Sequence, residues 1–439
     1  MKKSISSLII NSFFITILIG GLVLMLPFST RDGFLSTEDA LFTAASAVTV
    51  TGLIVKDTAR DFTPFGQLVI LVLLQIGGLG FMTFSTFAIL LMGKSFTLTE
   101  KNIIENVFTA GSYKNVKDLL KKIVLMTFII ELVGAALLYW QFTALSGAHR
   151  VFAAIFHAIS AFCNAGFSVF STGLEDYTAH WGINITIMAL IICGGIGFLV
   201  LNEIGLFFRW KIKGFAKFSL HSKLVLIASG LLIFSGFFVI FIEELLNPDN
   251  RLSWDAKILS SLFQAVTART AGFNTVNLNT LSSASIFILL LLMFVGASPG
   301  STGGGIKTSS AGVVAAYFRS RLQGREKIDI FYRNISAQTI EKAFIVIIIS
   351  FLFISVSFLL LLTFESKFQM SELLFETVSA FGTVGLSLGI TSQLSMLSKL
   401  TLIATMFIGR IGPLTLLIAL SRRGSRAVLR YPEEHIMIG

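Results

Sequence analysis

Long apolar runs alternate with short amphipathic ones along this chain, always in the same order. Residues 7–28 are apolar for about the 20 residues that a spanning helix needs, with Pro27 marking the far end. Residues 37–49 then read as a short amphipathic helix, with a Thr cap at Thr37 and acids Glu38 and Asp39 in its first turn. The loop Val50-Thr51-Gly52-Leu53 follows, then polar residues 56–63, then a second long apolar run at 65–92 interrupted by Gly77-Gly78-Leu79-Gly80. The unit is span, half-helix, glycine loop, span. Outer spans recur at 123–145, 223–241 and 343–364, short helices at 150–162, 254–268 and 371–381, and return spans at 182–208, 281–317 and 397–420.

The loops themselves recur: Asn164-Ala165-Gly166-Phe167, Thr270-Ala271-Gly272-Phe273 and Thr383-Val384-Gly385-Leu386 match the first. Their glycines are separated by 114, 106 and 113 residues, and a feature returning at near-constant spacing is a repeat. Phe42, Phe156 and Phe375 each stand 10 residues before the loop glycine, and Ser46, Ser160 and Ser379 six before. The third copy is one residue shorter, with Phe263 nine before and Thr267 five before. A single half-helix of this kind is as well read as an interfacial helix. Four copies with a matched glycine point instead to irregular backbone lining a cavity, the condition under which it survives at membrane depth.

The predicted fold is therefore an all-α polytopic membrane protein. Four covalently linked span–half-helix–filter loop–span repeats surround one pore, giving eight spans and four re-entrant half-helices. The expected boundaries are 1–93 (filter 50–53), 94–210 with its preceding cytosolic loop (filter 164–167), 211–320 (filter 270–273, with a broken span and gate loop at 296–308), 321–421 (filter 383–386) and a cytosolic C-terminal tail, 422–439.

Composition agrees with a membrane environment. The chain is 54% apolar and 13% charged, against about 25% charged in soluble domains, and its mean hydropathy is +0.84. A net charge of +10 raises the question of nucleic acid. That partner is rejected, because the basic residues sit in short loops between apolar spans. Loops 94–122, 209–223 and 319–342 are basic, whereas the opposite loops carry acids such as Asp57, Asp61, Glu175 and Glu243. Both termini are thus expected in the cytoplasm, in a multi-pass protein of the plasma membrane. The basic start at Lys2 and Lys3 leads into the first span rather than a cleaved leader. Cys163 and Cys193 form no disulfide or CxxC pattern.

Non-helical backbone in a bilayer leaves carbonyls unpaired, which is costly unless something satisfies them. A dehydrated cation does so, and rings of backbone carbonyls are how potassium filters replace a hydration shell. Glycine permits positive φ, so adjacent carbonyls can face one axis. The C-terminal ends of the half-helices add a negative dipole there. No carboxylate lies in the loops, which argues against a charged side-chain ring. The candidate filter residues are Val50, Thr51, Gly52, Asn164, Ala165, Gly166, Thr270, Ala271, Gly272, Thr383, Val384 and Gly385.

With these loops, the stretch from Gly296 to Thr308 and the ending Arg430-Tyr431-Pro432 to Met437-Ile438-Gly439, the chain resembles the Ktr/Trk/HKT superfamily of potassium transporters over nearly its whole length. Within it, the KtrB-type potassium-translocating subunit is the most similar. Plant-type members often carry Ser at the first filter glycine; Gly52 here matches the pattern that the family associates with potassium. The resemblance implies transported potassium, with sodium open as an activator or coupled ion. It also implies a homodimer in the lipid bilayer on a cytosolic nucleotide-binding ring of a separate, KtrA-like protein. The basic loops are expected to dock that ring, with the Met437-Ile438-Gly439 end near the dimer contact.

The return spans carry a second aligned signal. Gly77-Gly78-Leu79-Gly80, Gly194-Gly195-Ile196-Gly197 and Gly409-Arg410-Ile411-Gly412 share one place in three repeats. The third repeat has Gly296, Ala297, Ser298, Pro299, Gly300, Ser301, Thr302, Gly303, Gly304 and Gly305 instead. No helix runs comfortably through that composition. One of four pore-lining helices is thus expected to be broken just inside the filter, forming a flexible barrier. The family resemblance implies an intramembrane gating loop at this place. A Walker A loop is discounted, since the Gly-Lys adjacency and a preceding strand are missing. Arg410 stands where two other repeats have Gly78 and Gly195. A mid-span arginine costs roughly 2.5–3.5 kcal/mol on insertion scales, so it faces a cavity or a partner. The preferred reading is a pore-facing electrostatic barrier; the alternative is a salt bridge to Glu203. Arg269 is expected to brace the third loop through Glu376 or another acid. Competing functions are the same fold conducting sodium or both ions, and, remotely, an intramembrane enzyme using His157, His180, Ser160 and Glu203. The chain is not expected to be an enzyme, for those residues form neither a Gly-x-Ser-x-Gly elbow nor a His-Glu-x-x-His site.

Overall fold

A computed structural model describes residues 5–80, 116–209, 218–247 and 252–413. The tail expected at the dimer contact and much of the two basic loops at 94–122 and 209–223 lie outside the described residues.

Apolar stretches fold into long helices, and each outer one is followed by a short one. The chain opens with α1 (Ile5–Leu24), then α2 (Thr37–Thr49) and α3 (Pro64–Leu79). The cap of α2 is Ser36 rather than Thr37: Ser36 is extended and its Oγ accepts the Asp39 N–H at 3.2 Å, so Thr37 is already helical. Thr63 caps α3, whose first residue, Pro64, has no N–H to leave unpaired. Next come α4 (Val116–Gln141), α5 (Gly147–Phe162), α6 (Trp181–Gly195) and α7 (Phe198–Arg209). The third stretch contains α8 (Leu220–Leu246), α9 (Trp254–Thr267), α10 (Ser283–Phe294) and α11 (Thr308–Leu322). A hairpin, β1 (Asp329–Ile330) and β2 (Arg333–Asn334), folds within the expected basic loop. Phe331 and Tyr332 turn it with positive φ at both positions, the geometry that suits a two-residue hairpin. The chain then forms α12 (Ala337–Phe364), α13 (Met370–Gly382) and α14 (Met396–Ile411).

Among the described residues, α4, α8 and α12 are long and apolar enough to cross a membrane. The pair α6 and α7 qualifies if taken together, but it bends by 108° at its break. The return spans do not run as expected. The one anticipated at 182–208 is this bent pair, and that at 281–317 divides into α10 and α11 around an irregular stretch. Those at 65–92 and 397–420 are helical only to Leu79 and Ile411 before leaving the described residues. The expectation that one of the four pore-lining helices is broken is thus corrected: the second return span is also broken, at its glycine motif. Gly80, Gly197 and Gly412, the last glycines of the three aligned motifs, all have positive φ, at 76°, 94° and 89°. Left-handed backbone ends regular helical bonding wherever it occurs.

The short helices are the centre of the packing. Phe42, Phe156, Phe263 and Phe375 are fully buried on α2, α5, α9 and α13. Each short helix rests on its own flanking helices and on the return helix of a neighbour: α3 on α5, α6 on α9, α10 on α13, and α14 back on α2. The order closes on itself, so the first and last thirds of the chain are adjacent. Lys399 at the start of α14 seals that contact by an ion pair with Asp39 on α2 at 2.8 Å.

Candidate functional site

The four short helices end in loops of one conformation. Val50, Asn164, Thr270 and Thr383, two residues before the loop glycines, have left-handed φ of 57°, 58°, 70° and 49°. The glycines follow at 96°, 68°, 76° and 91°. Left-handed backbone is expected to cost a non-glycine residue about 1–2 kcal/mol. Three of the four residues here are β-branched, so surrounding structure must impose the shape. Part of the restraint is one hydroxyl per loop. Ser46 Oγ accepts the Gly52 N–H and Ser379 Oγ the Gly385 N–H, each at 3.1 Å. Ser160 and Thr267 instead donate to the carbonyls of Phe167 and Phe273, each at 2.7 Å.

The loops meet in a ring. A Cβ added to Gly52 would collide with the carbonyl oxygen of Ala165, and one on Gly166 would lie 2.8 Å from that of Ala271. One on Gly272 would collide with the carbonyl of Val384, and one on Gly385 with that of Thr51. Each glycine therefore abuts the carbonyl that precedes the next glycine, in the cycle first, second, third, fourth and back to first. All four glycines line one cavity of about 550 Å³, which also holds Asp57, Glu175, Asn274 and Ser387. Burial, with Asp176 beside it, raises the pKa of Glu175 above the usual carboxylate value.

On the other side of the ring lies the glycine-rich stretch between α10 and α11. It is folded and stapled, not slack. Ser298 and Thr302 donate their N–H groups to the carbonyls of Gly195 and Gly194 at 3.0 and 3.2 Å, and Gly305 donates to Gly409 at 3.2 Å. The Gly304 N–H donates to Thr383 Oγ1 at 2.9 Å, and the Thr302 hydroxyl to the Phe162 carbonyl at 3.1 Å. The Asn164 carboxamide sits between the hydroxyls of Thr270 and Thr302. Arg410 reaches across from α14 and donates to the carbonyls of Thr302 and Gly77. The stretch is thereby tied directly to the second and fourth loops and, through Arg410, to α3.

A ring of four equivalent loops held by helices from the whole chain is a whole-protein feature, and comparisons with known proteins agree over nearly the whole length. The TrkH family model, described as a cation transport protein, matches residues 4–427. The chain belongs to this family of cation transport proteins. It is 42% identical to the Ktr system potassium uptake protein B of Bacillus subtilis (strain 168), over 97% of this chain and 95% of that one. It is 34% identical to the potassium/sodium uptake protein NtpJ of Enterococcus hirae, over 100% and 98%. The crystal structure of the potassium transporter TrkH from Vibrio parahaemolyticus superimposes with a TM-score of 0.71 at 19% identity, covering 94% of this chain and 85% of that one. That likeness is one of fold.

Within this family member the twelve loop residues from Val50 to Gly385 come together at the ring. The glycine-rich residues from Gly296 to Gly305 and Arg410 come together beneath it. Two candidate partnerships, the alternative reading of Arg410 and the bracing of Arg269, do not form. Arg410 makes no ion pair with Glu203, whose carboxylate accepts the Ser219 N–H at 3.1 Å instead; carbonyls nearer to hand take the guanidinium. Arg269 does not reach Glu376. It donates to Ser229 on α8 at 3.0 Å, because the turn that follows α9 packs against its own outer helix. Glu376 accepts from the hydroxyls of Ser387 and Thr391. His157 is hydrogen-bonded through Nδ1 to the Ala153 carbonyl at 2.7 Å and through Nε2 to Ser168 at 2.9 Å.

Sequence reasoning missed three features here. Lys307 donates to the Gly303 carbonyl at 2.8 Å and adds a second basic side chain beside the stretch. The left-handed residues two before each glycine were not anticipated. Nor was the purpose of the return-helix glycines: a Cβ on Gly77, Gly194 or Gly409 would strike the carbonyl of Val48, Phe162 or Phe381 at the end of a short helix. The signal for that was the similar distance, 25, 28 and 24 residues, between those motifs and the loop glycines.

Proposed function

We propose that this chain is the ion-translocating membrane subunit of a potassium uptake system, with the four glycine loops as its selectivity filter. The observation that carries this reading is the closed cycle of glycines against carbonyls at the floor of one cavity. A dehydrated cation replaces its water with such carbonyls, and four short helices direct their negative C-terminal ends to the same place. Relatives named for potassium uptake support the choice of cargo. In this reading the chain comprises four repeats of two spans and one half-helix, eight spans in all. The basic loops and both termini are cytoplasmic in the plasma membrane, and the cavity beside Asp57 and Glu175 is the outer vestibule.

Beneath the filter, residues Gly296 to Gly305 and Arg410 act as the gate. The stretch occupies the space just beneath the ring, and Arg410 has no carboxylate partner among the described residues, so its charge faces an approaching cation. A homodimer on a cytosolic, KtrA-like nucleotide-binding ring would control that gate, in keeping with relatives named as parts of a Ktr system. Conduction of sodium as well as potassium is the second reading, favoured by the similarity to a protein named for both ions.

The test is ion uptake in cells deficient in potassium transport, with potassium and sodium compared. Changing Gly52, Gly166, Gly272 or Gly385 to Ser should weaken potassium affinity about tenfold or more, since a side chain at positive φ would press on the neighbouring carbonyl. Four variants that transport like the parent would remove the filter assignment. Equal parental uptake of both ions would favour the second reading.

A further inference from the structure

The position directly after the buried Phe of each short helix is occupied by a different polar residue: Thr43, His157, Gln264 and Glu376. All four are buried behind their loops. Only two have found a partner on the loop. His157 Nε2 is 2.9 Å from the Ser168 hydroxyl, and Glu376 accepts from the Ser387 hydroxyl. Ser168 and Ser387 are equivalent, each two residues beyond its loop glycine, where the loop leaves the ring. Each serine also fastens the next turn: Ser168 accepts the Phe170 N–H at 3.0 Å, and Ser387 the Gly389 N–H at 2.8 Å. In the first loop the corresponding residue is Ile54, which offers no polar side chain, and Thr43 Oγ1 is left unpaired. In the third it is Asn274, whose amide turns outward to Glu175 at 2.8 Å, and both polar atoms of Gln264 are unpaired.

We infer that His157 and Glu376 are positioning residues for ion selection: through Ser168 and Ser387 they clamp the exits of the second and fourth filter loops. These loops face each other across the ring, because the glycine–carbonyl cycle runs first, second, third, fourth. The loop exits are therefore clamped from behind along one diagonal, and those along the other lack this clamp. A cation smaller than the ring is held well only if the walls draw inward. A clamp that fixes the spacing of two opposite walls penalises that movement, so it acts on the choice of ion more than on the rate. This inference rests on the filter reading above.

The experiment measures initial uptake of potassium and of sodium, at matched amounts of folded protein, in vesicles reconstituted with the full chain. Ser168→Ala and Ser387→Ala each remove one hydroxyl from the loop exit without touching the short helix. One hydrogen bond is worth about 1 kcal/mol net, so each should lower the potassium-to-sodium ratio by about fivefold, with a smaller change in maximal rate. Ser387→Thr keeps the hydroxyl and should keep the ratio. Glu376→Leu combined with Ser387→Ala should do no more than Ser387→Ala alone, since both delete one network. Thr43→Val and Gln264→Leu, which remove atoms with no partner, should leave the ratio as in the parent. Gly385→Ser is the control for the filter itself: if it leaves the ratio unchanged, the filter reading fails and the clamp with it. If Gly385→Ser lowers the ratio while folded Ser168→Ala and Ser387→Ala do not, the filter stands and the clamp is overturned. Equal losses from Thr43→Val or Gln264→Leu would also overturn it, by showing that any change behind the ring has the same effect.

Discussion

Arg410 shows how a single residue takes its meaning from its surroundings. On α14 it replaces the glycine of the related motifs, and its guanidinium bridges the carbonyls of Thr302 and Gly77. Those bonds orient the side chain without neutralising it. A unit charge a few ångströms from a cation, in an effective dielectric near 20, opposes its passage by about 4 kcal/mol, before water and counter-ions reduce this. Arg410→Ala should therefore raise the initial potassium uptake rate in reconstituted vesicles at least tenfold and reduce its dependence on a regulatory partner. The preference for potassium over sodium should not change, because the ring is untouched. Slower uptake by a stably folded variant would make the two carbonyl bonds a purely structural tether. That Arg410 was unusual could be read from its place in an apolar helix. Its partners could not, because Gly77 and Thr302 are 333 and 108 residues away.

At the scale of elements, the glycines of the return helices serve contact rather than flexibility. Gly194 and Gly409 sit where a Cβ would press on the backbone carbonyls of Phe162 and Phe381. Gly230, within the long helix α8, has open space around it. Gly194→Ala and Gly409→Ala should each destabilise the protein by about 1–3 kcal/mol, the usual range for overpacking. Gly230→Ala should instead stabilise it by about 0.5–1 kcal/mol, through the helix preference of alanine. Thermal unfolding in detergent, read from helical circular dichroism, distinguishes the two classes; a shift of the same sign in all three would contradict close packing as the reason for the glycines. The helices themselves were legible from apolar runs and caps. Their ends were less so, because left-handed Gly80, Gly197 and Gly412 stop or bend helices whose composition would have carried them further.

The molecule as a whole is a circle, closed where α14 packs on α2. Lys399 joins that seam to Asp39 at 2.8 Å, with Glu38 at 3.7 Å, and the lysine side chain is nearly buried. Removing one member of a buried pair leaves the other uncompensated, at about 3–5 kcal/mol. Lys399→Met should lower the unfolding midpoint strongly, and Lys399→Met with Asp39→Asn should recover part of the loss. A double variant less stable than either single one would show that the pair is not the seal. Assembly belongs to the same scale. Extracted gently from native membranes, the protein should elute as a dimer together with a soluble nucleotide-binding ring; monomers alone, without any soluble partner, would count against that arrangement.

The order of long and short helices, the four glycine loops at near-constant intervals, and the odd composition of residues 296–305 were all determined by the sequence, since each follows from local preference or from periodicity along one dimension. Tertiary structure alone decided which loop touches which, and that every glycine meets a neighbour's carbonyl. It also decided that Val50, Thr270 and Thr383 accept a left-handed backbone, and that His157 and Glu376 reach their loops while Thr43 and Gln264 do not. The ring contacts depend on close packing between segments about a hundred or more residues apart, where a few tenths of an ångström separate a contact from a clash. The bonds of His157 and Glu376 span only 11 residues, but they form only because the packed ring holds each loop exit against its own short helix.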